Sequence, residues 1–158
     1  MKADAIRIPT FFGTLTKEDR EICDEAIKFT HLEKIADTDF LKISDGQKQR
    51  VLLARAICQD TKIIVLDEPT SYLDMFYKLD ILKTIHFLAR KKKKSIIMSL
   101  HELELVKMIS DTIICVGDGC VKRIGKPGEI FAGNFIQNLY GINDDEFDPI
   151  TCTVKLHL

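Results

Sequence analysis

The sequence lacks a long apolar run and a hydrophobic leader. No stretch of the 158 residues approaches the ~20 consecutive apolar residues that a membrane-spanning helix needs. Residues 1–5 carry no hydrophobic core like that of a signal peptide. We therefore expect no direct membrane insertion, and we expect any membrane association to come through a partner protein.

Neither sign of charge is in excess. The chain has 23 Lys and Arg against 24 Asp and Glu, a net charge of -1, so global charge gives no attraction to nucleic acid or to an anionic membrane. Residues 90–94 are five successive cations, which favour the helix dipole and solubility at the end of a predicted helix. We expect no nucleic-acid partner. Hydrophobic residues make up 46% of the chain, enough for a real core.

The five cysteines lack any C-x-x-C spacing. An odd, scattered set disfavours a disulfide framework or a zinc site and fits a reducing cytoplasm. Cys58 and Cys115 stand in apolar stretches, so we expect them to be buried as small hydrophobic side chains.

Hydrophobic periodicity predicts an α/β fold with a parallel sheet. Thr16 is a predicted N-cap with carboxylates in the turn after it, and Ser44 with Gln47 forms a predicted capping box. The two strands at 62–66 and 95–100 carry apolar residues on both faces, which is typical of strands buried on both faces. The predicted elements are a turn at 9–13, helices at 17–29, 31–36, 44–57, 75–89 and 102–110, the two strands, a hairpin at 112–124 and two short helices within 126–140.

The first candidate site is the helix start at Ser44. A serine hydroxyl, the backbone N–H groups of Asp45, Gly46 and Gln47, and the positive end of the helix dipole together make an anion site. Alternatively, these residues form an ordinary helix N-cap that binds no anion.

Two carboxylates follow the strand at 62–66 directly. At the C-terminal end of a buried strand, Asp67 and Glu68 would point into the crevice where α/β proteins bind ligands. Because Mg²⁺ keeps several waters and takes few carboxylates, Asp67 is a candidate metal ligand. Glu68 is a candidate to orient or deprotonate a water. Alternatively, both are surface acids that cap the next helix.

Two further residues are ambiguous when taken alone. Asp74, the last residue of the tetrapeptide 71–74, is either a functional carboxylate or only the N-cap of the long helix. His101 follows the strand at 95–100, where it could contact a terminal phosphate, whereas a lone histidine is usually structural.

The order and spacing of these features resemble the ATP-binding-cassette (ABC) ATPase family over residues 10–130. Residues 43–47 are similar to the family's signature motif, residues 63–67 to its Walker B strand and Glu68 to its catalytic glutamate. Residues 71–74 match its D-loop, and His101 matches its switch histidine. The implied fold is a partial P-loop NTPase fold with a parallel sheet, flanking helices and a helical subdomain.

The resemblance implies two ATPase subunits that sandwich two ATP molecules. Ser44 and the amides near Gly46 and Gln47 would face the γ-phosphate bound by the opposite subunit. Asp45 departs from the family pattern, because it stands where glycine is usual and places a negative charge near a phosphate.

The other roles that the resemblance implies fall within one subunit or at its seam. Asp67 would help to hold Mg²⁺, and Glu68 would polarise the attacking water. Asp74 would lie at the dimer seam, and His101 would sense the γ-phosphate.

Residues 9–40 and the aromatic Tyr72 resemble importers of iron-siderophores, haem or cobalamin. The implied partners are a second ATPase subunit in a homodimer and transmembrane permease subunits. A coupling helix of the permease would bind to the helical subdomain. The implied location is cytoplasmic, peripheral on the inner face of the cell membrane. The DNA-repair and translation branches of the family usually carry coiled-coil insertions or tandem cassettes, and neither occurs here.

The chain has no phosphate-binding loop of the pattern G-x-x-x-x-G-K-[ST]. Only Gly128 and Gly133 have the right separation, and Asn134 and Phe135 follow them in place of Lys and Ser or Thr. The family's glutamine loop and N-terminal β-subdomain also have no counterpart. We therefore expect ATP and Mg²⁺ as cofactors only when a Walker A-bearing segment completes the site, and we expect this chain alone to be inactive.

Two hypotheses remain for the chain as it stands. It is a fragment or split part of an importer ATPase, or it is a non-catalytic remnant that keeps only dimerisation or permease-contact surfaces. The expected domains are a partial helical subdomain at 1–45, the C-terminal part of the ATPase core at 46–142 and a tail at 143–158. Without the Walker A strand, the sheet would have apolar unpaired edges, which we expect rearrangement or a second chain to cover.

Overall fold

The computed structural model describes residues 16–155, in two compact units that divide between Ser99 and Leu100. The turn predicted at residues 9–13 lies outside the described residues. The domain boundaries expected at 45 and 142 stay predictions. The elements are α1 (Lys17–Phe29), α2 (Asp45–Cys58), β1 (Ile63–Leu66), α3 (Met75–Arg90), β2 (Ser95–Met98), α4 (Leu103–Ile109), β3 (Ile113–Gly117), β4 (Cys120–Gly125), α5 (Pro127–Ile130), α6 (Phe135–Tyr140), β5 (Phe147–Asp148) and β6 (Thr153–Val154).

Helix α1 begins at the predicted N-cap Thr16, which forms a capping box with Asp19. The Thr16 side chain accepts the Asp19 N–H at 3.1 Å, and the Asp19 carboxylate accepts the Thr16 N–H at 2.8 Å. The hydrogen bonds that the Thr16 hydroxyl and amide donate to Asp19 hold the pKa of its carboxyl below the ordinary value. Two N–H groups that the helix itself cannot satisfy are thereby paired.

Helices α1 and α2 form the core of the first unit. Ala26 and Ala54 are fully buried, and Leu32, which follows α1, is buried with them. Cys23 and Cys58 complete the cluster. Burying a leucine side chain of this kind contributes about 1.5–3 kcal/mol.

Strands β1 and β2 pair in parallel, as the sequence predicts. Ile63 is opposite Ser95 and Leu66 is opposite Met98, with α3 as the connection between the strands. Helix α3 begins at the N-cap Asp74, and its buried residues recur at helical spacing. They are Ile81, Leu82, Thr84, Ile85 and Leu88.

The prediction that both strands are buried on both faces is wrong for residues 16–99. Ile63, Val65 and Ile97 are 56%, 70% and 57% exposed, whereas Ile64 is 3% exposed. Successive side chains of a strand point to opposite faces, so one face of the β1–β2 pair is covered and the other is open. A parallel sheet is buried on both faces only when a layer of structure covers each one.

Helices α2 and α3 leave several apolar side chains exposed. Leu52 in α2 is half exposed, and Met75 and Leu79 in the first turns of α3 are exposed. Helical periodicity decides which residues share a face, but burial depends on whether another element lies against that face.

The second unit is built on the predicted hairpin of β3 and β4. Gly117 pairs with Cys120 across a two-residue turn, in which Asp118 and Gly119 both have positive φ. An Asp-Gly pair suits the type I′ turn, because glycine adopts left-handed φ without steric cost. The strands are antiparallel, in contrast to the parallel β1–β2 pair of the first unit.

Helices α4, α5 and α6 supply the rest of the second unit. Its core contains Ile113, Cys115, Ile130, Phe131, Ile136 and Phe147. Phe147 belongs to the small β5–β6 pair, and the Lys107 ammonium on α4 donates to the backbone carbonyls of Pro149 and Ile150 at 2.8 and 2.6 Å. Within residues 16–155, no helix has both the length and the apolarity to cross a membrane.

The expected burial of Cys58 and Cys115 is confirmed, and this predicts a pattern of thiol reactivity. Burial, with the neighbouring Cys23 as a further cause, raises the pKa of the Cys58 thiol to about 12. Because the thiolate is the reactive form, a thiol reagent should modify the exposed Cys120 rapidly and Cys58 slowly. Peptide mass spectrometry of the native chain measures both rates.

The matched control is the Cys120→Ser variant, which should lose the fast phase of modification. In denaturant all the thiols should react at similar rates. Modification of Cys58 as fast as that of Cys120 in the native chain would contradict the buried position.

Candidate functional site

The predicted acidic pair lies at the C-terminal ends of two parallel strands. Asp67 follows β1 directly, and Ser99 follows β2. The Ser99 hydroxyl donates to Asp67 Oδ1 at 2.6 Å, a distance typical of a hydrogen bond to a charged oxygen. The Ser99 N–H also donates to the Leu66 carbonyl at 3.1 Å. Ser99 therefore fixes the Asp67 carboxylate at this edge of the sheet.

The same serine holds the backbone of Glu68. The Glu68 N–H donates to the Ser99 hydroxyl oxygen at 2.9 Å. On its other side, the Glu68 carboxylate accepts the Ser71 hydroxyl at 2.8 Å, and the Glu68 carbonyl accepts the Ser71 N–H at 3.1 Å. Glu68 is thus oriented by bonds to its amide, its carbonyl and its side chain.

The loop from Glu68 to Asp74 carries backbone strain. Glu68 and Tyr72 have φ of +44° and +62°, the left-handed region that residues with a side chain rarely adopt. Strain of this kind costs about 1–3 kcal/mol per residue and clusters at functional sites. Pro69 and Thr70 are buried in the middle of the loop, which anchors it between the two strained positions.

Asp74 ends this loop as the N-cap of α3. Its carboxylate accepts the Tyr77 N–H at 3.0 Å. The capping alternative is therefore observed, while the role of Asp74 at a subunit seam stays a prediction. Asp74 is exposed, so its carboxylate can contact a second group while it caps the helix.

The four residues 44–47 form the start of α2. The Ser44 side chain accepts the Gln47 N–H at 3.3 Å, and the Gln47 side chain accepts the Ser44 N–H at 2.8 Å. The Gln47 amide is therefore engaged by the cap, whereas the amides of Asp45 and Gly46 lie in the first turn, where a helix offers no partner. Of the amides in the predicted anion site, those of Asp45 and Gly46 therefore lie beside the exposed Ser44 hydroxyl without being used by the cap, and anion binding here stays a prediction.

The negative charge of Asp45 has a local partner. The Lys48 ammonium lies 2.8 Å from the Asp45 carboxylate, one helical turn away. The Asp45 side chain is 71% exposed, so the ion pair contributes little to stability, about 0–1 kcal/mol. The ion pair does reduce the negative charge at the helix start. The sequence analysis did not predict this pair.

Gly46 brings the helix start against the strained loop. A Cβ at this position would lie 3.0 Å from Leu73 Cδ2 and 3.1 Å from the Tyr72 carbonyl oxygen. The structure thus brings residues 44–47 and 71–74 together through a contact that leaves no room for a side chain. His101 is exposed in the second unit, and its role beside a phosphate stays a prediction.

Asp67 meets the chemical requirement for one Mg²⁺ ligand. It is an exposed carboxylate whose Oδ1 is fixed by a hydroxyl. Residues 16–155 contain no group of three or more His, Cys, Asp or Glu side chains able to hold a metal ion. Mg²⁺ usually takes only one or two carboxylates together with waters and phosphate oxygens, so Asp67 fits as a single protein ligand.

The Ser99→Ala change should destabilise the edge that carries Asp67 and Glu68. It removes the acceptor of the Glu68 N–H and the donor to Asp67, and the expected loss is about 1–2 kcal/mol of unfolding free energy. The control is Ser95→Ala, at the exposed start of the same strand, with an expected change within about 0.5 kcal/mol. Urea unfolding followed by circular dichroism measures both, and equal midpoints would contradict the bridging role of Ser99.

The Gly46→Ala change should destabilise the contact between the α2 start and the loop. The added methyl group must displace Leu73 or the Tyr72 carbonyl, at an expected cost of about 1–3 kcal/mol. Gly128→Ala in α5 is the matched control, because nothing lies within 4 Å of its added Cβ. Were the two variants equally stable in thermal unfolding, the close approach at Gly46 would be wrong.

Comparison with known proteins places these features in one family. A family model described as ABC transporter matches residues 4–71, which include the α2 start, β1 and the acidic pair. The chain is 33% identical over 132 residues to the iron(3+)-hydroxamate import ATP-binding protein FhuC of Bacillus subtilis, covering 84% of this chain and 49% of that protein. It is 32% identical over 131 residues to the ferric enterobactin transport ATP-binding protein FepC of Escherichia coli, covering 83% and 48%.

Solved structures give the same result for the fold. A chain described as part of a metal-chelate type ABC transporter, in an inward-facing conformation, matches with a TM-score of 0.74 and 25% identity, covering 88% of this chain and 55% of that one. A dimeric ATP-binding cassette in a post-hydrolysis state, bound to ADP and phosphate, matches with a TM-score of 0.66 and 30% identity, covering 73% and 50%. The chain spans about half the length of the relatives it matches. It belongs to the ABC transporter ATP-binding family and has part of that family's P-loop NTPase fold.

Proposed function

We propose that this chain is part of the ATP-binding subunit of an ABC importer that takes up iron bound to a siderophore or a related metal chelate. The observation that carries the proposal is the fixed Asp67–Glu68 pair at the ends of parallel strands, in a chain about one third identical to importer ATPases of that kind. ATP hydrolysis would supply the energy for transport, and the chelate itself would not contact this subunit.

The chain's own residues would act at two places. Asp67 would hold Mg²⁺, directly or through water, and Glu68 would orient the attacking water with a carboxylate that Ser71 keeps in place. The α2 start, with Ser44 and the amides of Asp45 and Gly46, would bind the γ-phosphate held by a second subunit. Asp74 would lie at the seam between the subunits, and His101 would contact the γ-phosphate.

The proposed partners follow from the same residues. An α2 start that faces another subunit's nucleotide requires a second ATPase subunit, and the matched cassette bound to ADP and phosphate is a dimer. Transmembrane permease subunits would hold the pair at the inner face of the cell membrane.

A second candidate is a non-catalytic remnant that keeps only dimerisation or permease-contact surfaces. The observation that favours it is the lack of the G-x-x-x-x-G-K-[ST] pattern in the sequence, since backbone amides and a lysine must cradle the phosphates. The two candidates differ in one measurable respect. Only a working ATPase part would become active when a phosphate-binding segment is supplied.

The pure chain should bind ATP weakly and hydrolyse essentially none, whether or not Mg²⁺ is present. We expect Mg²⁺-dependent hydrolysis after addition of a polypeptide that carries the Walker A half of the Bacillus subtilis hydroxamate importer ATPase. Phosphate release measures the activity. The Glu68→Gln change should lower the restored rate about 100-fold or more, because it removes the group that orients the water.

The matched control is Glu33→Gln, at an exposed acid outside the site, which should leave the restored rate unchanged. A remnant would show no hydrolysis in any mixture. Magnesium-dependent turnover by the pure chain, abolished by Glu68→Gln, would show that the expected inactivity is wrong.

A further inference from the structure

Arg50 is a buried cation in the middle of α2. Its side chain is only 5% exposed, and its charged head lies between two other helices. Nη1 donates to the carbonyl oxygens of Thr30 and His31 at 3.3 and 3.0 Å, and the guanidinium carbon lies 4.2 Å from the centre of the Tyr77 ring. Burying a cation is costly unless it is hydrogen-bonded, so these contacts define the position of the side chain.

The two carbonyl groups belong to the C-terminal end of α1. There the Leu32 N–H donates to the Ile27 carbonyl and the His31 N–H to the Lys28 carbonyl, while His31 has φ of +50°. This is the Schellman arrangement, in which the left-handed position is usually glycine. The carbonyl end of a helix carries partial negative charge, which the Arg50 guanidinium compensates.

Helix α3 holds the same end of α1 from another side. The Thr84 hydroxyl donates to the Phe29 carbonyl at 3.2 Å, and His31 Nε2 lies 3.1 Å from the Asp80 carboxylate. The rings of Phe29 and Phe87 lie 5.0 Å apart. Residues 29–31 are therefore fixed by α2 through Arg50 and by α3 through these three side chains.

Tyr77 connects this junction to the loop that carries Asp74. Its ring lies beneath the Arg50 guanidinium, and its N–H is the group that the Asp74 carboxylate accepts. Tyr77, in the first turn of α3, therefore makes both the stacking contact with Arg50 and the capping hydrogen bond with Asp74.

We propose that Arg50 is a positioning residue that ties the C-terminal end of α1 to the Asp74 loop through Tyr77. A displacement of the end of α1 moves the acceptors of Arg50, and Arg50 passes the displacement to Tyr77 and its cap bond. The functional meaning rests on the proposed function, because it makes Asp74 part of a nucleotide-bearing seam. The contacts themselves are made by residues of this chain alone.

A nucleotide-free experiment tests the proposal, so that its failure differs from failure of the ATPase assay. Amide hydrogen exchange of the full chain is followed by NMR at Leu32, at Tyr77, and at Ala54 and Ile85 as reference amides within α2 and α3. Arg50→Met should speed exchange at Leu32 and Tyr77 about tenfold, since hydrogen bonds to a charged group and a stacked contact are lost together. The reference amides should change less than about threefold.

The matched control is Arg55→Met, an exposed arginine of the same helix, which should leave all four amides unchanged. Variants of Tyr77 give a second, milder test. Tyr77→Phe keeps the ring and should behave as the unmodified chain, whereas Tyr77→Leu should speed exchange at Leu32 as well as at residue 77. In the double variant with Arg50→Met, the effects should not add, because both changes break one connection.

Two outcomes would overturn the proposal. Equal speeding at the reference amides and at Leu32 and Tyr77 would mean that Arg50 only stabilises the unit as a whole. An unchanged Tyr77 amide in Arg50→Met, or additive effects in the double variant, would mean that the end of α1 and the Asp74 loop are not connected through Arg50.

Discussion

Parallel pairing of β1 and β2 is the constraint on which the candidate site depends. Two parallel strands end at the same edge, so the residues that follow them, Asp67 and Ser99, come within hydrogen-bonding distance although they are far apart in sequence. The Ser99 hydroxyl is shared between the Asp67 carboxylate and the Glu68 amide, which sets the direction in which the chain leaves β1. The loop then reaches Gly46, so the pairing also places the start of α2.

In the first unit, left-handed backbone occurs at residues with side chains in the candidate site and at the end of α1, as it also does at Asp60 and Lys93. Glu68, Tyr72 and His31 all have positive φ, and bonds from other elements hold two of them: Ser99 holds Glu68, and Arg50 and Asp80 hold His31. A strained residue persists only when its surroundings over-determine it. These turns therefore depend on the packed unit as well as on local hydrogen bonds.

The features that the sequence predicts well are those set by neighbouring residues. The start of α1 follows from Thr16 and Asp19, and the β3–β4 turn follows from Asp118 and Gly119. The expectation of two-sided burial at Val65 was wrong, because exposure depends on a layer that a strand's own pattern does not describe. The role of Arg50 could not be predicted, since its acceptors are backbone carbonyls, which have no sequence signature. Ser99 had a partial signal, its place directly after a strand that neighbours the acidic pair.

The connection between the parallel strands also sets the order in which the chain gains structure. Ile63 is paired with Ser95, so the β1–β2 sheet closes only after all of α3 and the turn beyond it have been made. Long-range pairing carries a loop-closure entropy that local hairpins avoid, and the β3–β4 hairpin with its two-residue turn is such a local structure. During synthesis, β1 is therefore made before its partner. Its aliphatic side chains meet water first and a neighbouring strand only later.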